Sequence, residues 1–195
     1  MKFTLAQSKK VVKAFAKHAA KKDVRYYLQG IHFKNGEMVA TDGSRLATLT
    51  SPEIKSISKA LDGCTIATTA RNLDAIAEMI SYPIANSELF FDKETGVLKT
   101  PRNSFLLDNV DPQGTDFDVR YPDYKRVIPK DADIKAGFEI FAYNAKYIVD
   151  ACSLVSAVNT KFKTLHIDSA KHSTAIIRID ENEMKGMIII MPVKM

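Results

Sequence analysis

The feature that most constrains this chain is one pattern written three times. A short apolar strand, a helix with a single apolar stripe and three further strands recur at intervals of about 60 residues. The first copy opens at 2–5. Its helix, over about 7–21, puts Val12, Phe15, Ala16 and Ala19 at i, i+3, i+4 and i+7. Strands are expected around 26–33, 37–42 and 45–50. Asn35-Gly36 reads as a hairpin turn, because both residues tolerate positive φ. The second copy has a strand at 64–68 and a helix at 70–81 that buries Leu73, Ile76, Ala77 and Ile80, with Pro83 beyond its end. Its remaining strands fall at 88–92, 96–99 and 104–108. The third copy starts at 138–142. A helix at 145–158 follows, capped by Asn144, with Ile148, Val149, Cys152 and Val155 as its inner side. Strands at 164–168, 173–179 and 187–193 complete it. The segments 51–63 and 108–135 read as polar connections. Each copy is thus a β-α-β-β-β unit, and the class is α+β. Such a unit cannot bury both its helix and its sheet alone, so the copies must pack on one another. They share the pattern and almost no residues.

Charge is distributed unevenly. The net charge is +5, yet residues 1–25 carry seven lysines and Arg25 against Asp23 alone, a balance of +7, so the remaining 170 residues sum to −2. Lys9, Lys13, Lys17 and Lys21 recur every fourth residue, with Lys10 beside them, and are expected to share one helix face. Like charges at that spacing repel slightly, and a polyanion laid alongside would relieve the repulsion with counterion release. Nothing in the segment reads base edges, so the expected contact is with phosphates, independent of sequence.

Other classes are excluded or disfavoured. No apolar run reaches the roughly 18 residues of a membrane span, no secretory h-region is present, and Cys64 and Cys152 make no disulfide framework, which suits a reduced, cytoplasmic protein. There is no phosphate-binding glycine loop and no cysteine pair at metal spacing. His18, His32, His166 and His172 are scattered. Residues 108–118 are acidic but lack the spacing of a calcium loop. Ser44, within Thr41-Asp42-Gly43-Ser44-Arg45, has no base assigned to it and reads as part of a tight Asp-Gly turn. No enzyme activity, metal or cofactor is expected.

Three stretches carry a resemblance. The first is Asp23-Val24-Arg25-Tyr26-Tyr27-Leu28-Gln29-Gly30 with Val39-Ala40-Thr41-Asp42-Gly43-Ser44-Arg45-Leu46-Ala47. The second is Arg120-Tyr121-Pro122-Asp123-Tyr124-Lys125-Arg126-Val127-Ile128-Pro129-Lys130. The third is the ending Ile190-Met191-Pro192-Val193-Lys194-Met195. In this order they resemble the bacterial sliding clamp, the beta subunit of the replicative DNA polymerase. The resemblance implies a DNA-clamp fold of three units, with 1–130 similar to the family's second domain (units 1–50 and 62–108) and 131–195 similar to the second half of its third domain. It also implies partners: double-stranded DNA, encircled or contacted along the lysine face, and the short linear peptides of DNA polymerases and other clamp-binding proteins. Carried over, the peptide pocket comprises Leu28, Thr41, Gly43, Ser44, Arg45, Leu46, Pro122, Arg126, Val127, Ile189, Met191, Pro192, Val193, Lys194 and Met195. Apolar members would take the peptide's aliphatic and aromatic anchors, and Arg45 and Arg126 would offer donors at the edge. Ser44 stands where the family usually has His, and Lys194-Met195 replaces a usual Arg-Leu ending.

Three units per chain imply a homo-oligomeric ring, a tetramer on the family's unit count, arranged head-to-tail. The third unit would then need a partner across chains, or the ring would stay open. Two roles follow from the resemblance: a processivity clamp of the kind a phage or mobile element carries, or a non-ring mimic that competes for the partners of a host clamp. A basic DNA-binding protein without a pocket is the remaining reading of the charge alone.

Overall fold

A computed structural model describes residues 3–81, 89–111, 117, 120–134, 142–159, 165–170, 174–181 and 183–193. Four helices and ten strands are present among them: α1 (Leu5–Ala16), β1 (Gly30–Lys34), β2 (Glu37–Thr41), β3 (Arg45–Thr50), α2 (Pro52–Ala60), β4 (Thr65–Ala67), α3 (Ala70–Ser81), β5 (Phe90–Asp92), β6 (Val97–Lys99), β7 (Ser104–Leu106), α4 (Ala145–Val158), β8 (Ile167–Ala170), β9 (Thr174–Glu181) and β10 (Met184–Ile190). The class is α+β, as expected.

The first copy departs from its expected pattern at both ends of its helix. Residues 3 and 4 are not strand; Thr4 instead caps α1, its hydroxyl accepting from the Gln7 N–H while the Gln7 side chain accepts from the Thr4 N–H. The helix ends at Ala16 rather than 21. Residues 26–29 form one turn of 3-10 helix, not strand. Segment 51–63, expected as a connection, holds α2. Its signals were present: the Ser51 hydroxyl caps the Ile54 N–H, Pro52 occupies the first turn, and Ile54, Ile57 and Leu61 lie fully buried along one side. The expected strand at 138–142 lies largely outside the described residues, as does Pro83.

Seven strands form one sheet in the order β4-β1-β2-β3-β10-β9-β8, and β5-β6-β7 form a second. The joint that matters is β3 against β10, antiparallel from Arg45↔Ile190 to Thr50↔Lys185. Strands from the first 67 residues and from the last 29 therefore share one hydrogen-bonded sheet, so the segment expected as a third unit is joined to the first within the chain. Alternation divides this sheet cleanly. Ile31, Phe33, Met38, Ala40, Ala47, Leu49, Ile177, Ile188 and Ile190 face the main core. α1 packs against both α3 and α4, α4 covers β9 and β10, and α2 lies on β1–β3.

The opposite face carries a second, smaller core of Val39, Leu46 and Ile189 beneath Tyr124. It is covered by the segment 120–134, which crosses the sheet as a strap. Tyr121 stacks on His32 of β1 (centroids 4.2 Å apart, planes at 1°). Tyr124 Oη donates to Glu37 Oε2 of β2 (2.8 Å), and Lys125 Nζ lies 2.6 Å from the same oxygen. Farther along, Asp131 pairs with Arg178 of β9 (3.1 Å). The strap is thus pinned at three successive points across the sheet.

Candidate functional site

Ten of the expected site residues line one cavity of about 180 Å3: Leu28, Thr41, Gly43, Ser44, Arg45, Leu46, Pro122, Val127, Ile189 and Met191. They come from four separate stretches, and local structure explains each placement. The 3-10 turn sets Leu28 as buried floor. The turn between β2 and β3 is closed by Asp42, whose Oδ1 accepts from the N–H groups of Ser44 (3.0 Å) and Arg45 (3.2 Å). Gly43 holds φ at +92° there. A Cβ on it would also sit 3.1 Å from the Arg25 guanidinium, so the position suits glycine twice over. At the end of β10 the Met191 N–H donates to the Ser44 carbonyl (3.0 Å), drawing Met191 onto the same rim. The strap supplies Pro122 and Val127.

Leu28, Leu46 and Ile189 are buried, whereas Val127 and Met191 remain 47% and 42% exposed. An apolar floor with an apolar rim left open to water is the arrangement that gains from a greasy side chain inserted between them. Arg25, Asp123 and Tyr124 complete the wall. Arg25 is not among the expected residues; its signal is Asp23, two residues before it, which fixes the guanidinium by a two-point contact (3.0 and 2.8 Å).

Other expected members lie elsewhere. Arg126 is outside the cavity wall, its side chain 84% exposed and paired with Asp123 (3.0 Å). Pro192 and Val193 continue past the rim, where the Val193 N–H donates to the Ala142 carbonyl (2.8 Å). Lys194 and Met195 lie outside the described residues.

Arg45 lines the cavity, but its charge is engaged inward rather than offered at the edge. Only 4% of the residue is exposed. Its Nε meets Asp42 Oδ2 (3.0 Å), its Nη1 meets Asp150 Oδ2 of α4 (2.8 Å), and its Nη2 donates to the Lys17 carbonyl at the end of α1. The Tyr147 ring lies 4.3 Å from the guanidinium carbon. Asp150 is shared further, with Lys146 Nζ at 2.8 Å and Lys17 Nζ at 4.0 Å. Burial alone would raise the Asp150 carboxyl; the hydrogen bonds from Lys146 and Arg45 outweigh it and hold the group below the usual carboxylate range. This network ties the cavity's turn, the end of α1 and α4 into one body. His18 sits beside it, pushed down to about 4 by burial and then by the Arg45 charge. His32, under the strap, is also pushed down to about 4, by burial and then by Lys34.

The lysine face is rearranged from the expected register. Lys10, Lys13 and Lys17 are exposed, while Val11, Val12, Ala14 and Phe15 are buried, so 10, 13 and 17 form the outward stripe of α1. Lys9 turns toward α3 and pairs with Asp74 (3.1 Å). Lys21 is exposed but lies past the end of the helix. On α4 the expected inner side is also shifted: Asp150, Ala151, Leu154, Val155 and Val158 face inward, whereas Val149 is 61% exposed.

Among the described residues no cluster of His, Cys, Asp or Glu could hold a metal ion, and no helix is long and apolar enough to cross a membrane.

No family model matches the chain. The beta sliding clamp of Escherichia coli (strain K12) is 30% identical over 148 residues, which cover 72% of this chain and 37% of that protein. The chain therefore spans little more than a third of the curated relatives it matches. Among solved structures, the DNA polymerase III subunit beta from Pseudomonas aeruginosa superposes with a TM-score of 0.55 at 14% identity, over 98% of this chain and 65% of that one. The Helicobacter pylori beta clamp bound to a DNA ligase peptide superposes with a TM-score of 0.53 at 15% identity, over 95% and 63%. Over most of its length, then, the chain is a homologue of the bacterial beta sliding clamps, and its fold is the clamp fold of DNA polymerase III beta.

Proposed function

We propose that this protein is a clamp-type processivity factor that performs no chemistry. It holds duplex DNA by sequence-independent phosphate contacts from Lys10, Lys13 and Lys17, with Lys9 and Lys21 at the margins of that face. It docks the short apolar peptides of DNA polymerase or DNA repair partners between the strap and the β3–β10 joint. The observation that carries this reading is the cavity, in which stretches far apart in sequence converge on an apolar floor with an open apolar rim. The Helicobacter pylori beta clamp, which has the same fold, holds a DNA ligase peptide, which supports a peptide as the occupant. Tethering works by effective concentration: an enzyme anchored beside the duplex rebinds it far more often than one free in solution.

The test pairs two variants with two ligands. Lys10, Lys13 and Lys17 changed together to Glu should abolish duplex binding, and the wild-type affinity should fall steeply with salt, with a logarithmic slope near −0.9 per phosphate contacted. Val127→Asp, at an exposed position that leaves the core intact, should weaken a Leu/Phe-anchored peptide at least tenfold in calorimetry and leave the duplex untouched. Duplex affinity unchanged in the lysine variant would remove the DNA half of the reading. Peptide affinity unchanged in Val127→Asp would remove the other.

A second reading is favoured by the β3–β10 pairing, which joins the third unit to the first within one chain. On that reading the protein works as a non-ring mimic, occupying the peptides of clamp partners without encircling DNA. Native mass distinguishes them: assembly in the presence of duplex supports a clamp, and a monomer that binds peptide alone supports the mimic.

A further inference from the structure

A second cavity shares the strap as a wall with the first. It holds about 480 Å3 and is bounded by Glu37 and Thr50 of the sheet, by Lys125, Ile128 and Lys130 of the strap, and by Lys185 of β10. Adjacent strap residues divide between the two: Val127 borders the first and Ile128 the second. On the sheet beneath, Leu46 and Ile189 belong to the first, while Thr50 and Lys185 belong to the second. Thr50 lies four residue steps along the extended strand from Leu46, roughly 13 Å.

The two cavities differ in chemistry. The first is apolar. Around the second stand three lysines and one carboxylate, Glu37, which already accepts from Tyr124 and from Lys125. Lys185 meets Asp180 only loosely, at 3.8 Å with both side chains mostly in water. Lys130 has no carboxylate partner among the described residues. Two ammonium groups are thus available at the mouth of a cavity one chain's thickness from the apolar one.

We infer that this second cavity is an accessory subsite for an acidic segment flanking the peptide anchored in the first. An occupant with Leu or Phe in the apolar cavity and Glu or Asp about four extended residues away would cross the strap and reach Lys130 and Lys185. The inference rests on the peptide-docking reading above and adds a rule of specificity to it. Anchors supply affinity; the charge of the flank selects among partners that share the anchors, and speeds their association.

The experiment uses fluorescein-labelled peptides with one Leu/Phe anchor, joined by about four Ser/Gly residues to three Glu or to three Gln, with the trio placed on either side of the anchor. At low salt the Glu peptide of one polarity binds the wild-type protein roughly fivefold more tightly than its Gln counterpart, the worth of two exposed ion pairs. That advantage disappears in the Lys130→Glu/Lys185→Glu double variant and at high salt, while the Gln peptides bind wild type and variant alike. Equal affinity of Glu and Gln peptides for the wild type overturns the subsite and leaves the apolar docking reading standing. Binding of no peptide at all overturns both. Loss of duplex affinity in the double variant, with no change for the Glu peptides, assigns the cavity to nucleic acid and overturns the peptide assignment.

Discussion

At the scale of single residues, Arg45 has a different consequence from the one its motif implies. An arginine in a turn beside an apolar pocket reads as a donor for a ligand. Here β3 alternation points it to the helix side of the sheet, where Asp150 waits on α4 and the Lys17 carbonyl on α1. The pair is buried, so removing one partner strands a charge. Asp150→Ala should destabilise the fold by about 3 kcal/mol, read as a shift of the urea midpoint. A shift as small as that of an exposed ion pair would mean that the network holds nothing together. The two buried histidines set a pH dependence. Both titrate near 4 in the fold against an ordinary 6.5. Above pH 6.5 they are neutral whether the chain is folded or not and contribute nothing to the balance. As pH falls below 6.5 the unfolded chain takes up protons that the fold refuses, so stability declines and levels off only near pH 4. By pH 5 the loss should approach about 2 kcal/mol per histidine. Urea midpoints at pH 7 and pH 5 check this, and equal midpoints would contradict it.

At the scale of elements, what the sequence made legible follows from how many independent signals each segment carries. α3 and α4 lie where periodicity puts them, with residue bounds 70–81 and 145–158, because a long apolar stripe and, for α4, the Asn144 cap agree. β3 and the Asn35-Gly36 hairpin are equally clear; the turn takes φ of 53° and 80°. α2 was hidden by its polarity. Three apolar residues in a short segment look like a connection unless Ser51 and Pro52 are read as a helix start. Ser51→Ala should cost about 1 kcal/mol by losing that cap, measurable in the same denaturation experiment. No change would mean that packing of Ile54 and Ile57 alone sets the helix. The shifted face of α4 has another cause. Asp150 is drawn inward by Arg45 of β3, a tertiary pairing invisible to a scale that scores aspartate as polar, and Val149 is turned outward in consequence. The α1 lysines show a related limit: four-residue spacing drifts around the helix, so Lys9 leaves the stripe and Lys10 joins it.

At the scale of the whole molecule, the candidate cavity was legible as a set of motifs but not as a place. Leu28, Leu46, Val127 and Ile189 are ordinary apolar residues until the β3–β10 joint and the strap bring them together, and no local pattern encodes that joint. On the proposed function, the same joint sets the two binding faces apart. The helices present Lys10, Lys13 and Lys17 on one side of the sheet, and the strap borders both cavities on the other. Duplex and peptide should therefore bind without competing. Sedimentation of the protein with a fluorescein-labelled duplex and a differently labelled Leu/Phe-anchored peptide tests this directly. The account predicts that both labels sediment together with the protein at saturation of each. Displacement of one ligand by the other, or sedimentation of neither label with the protein, would contradict it.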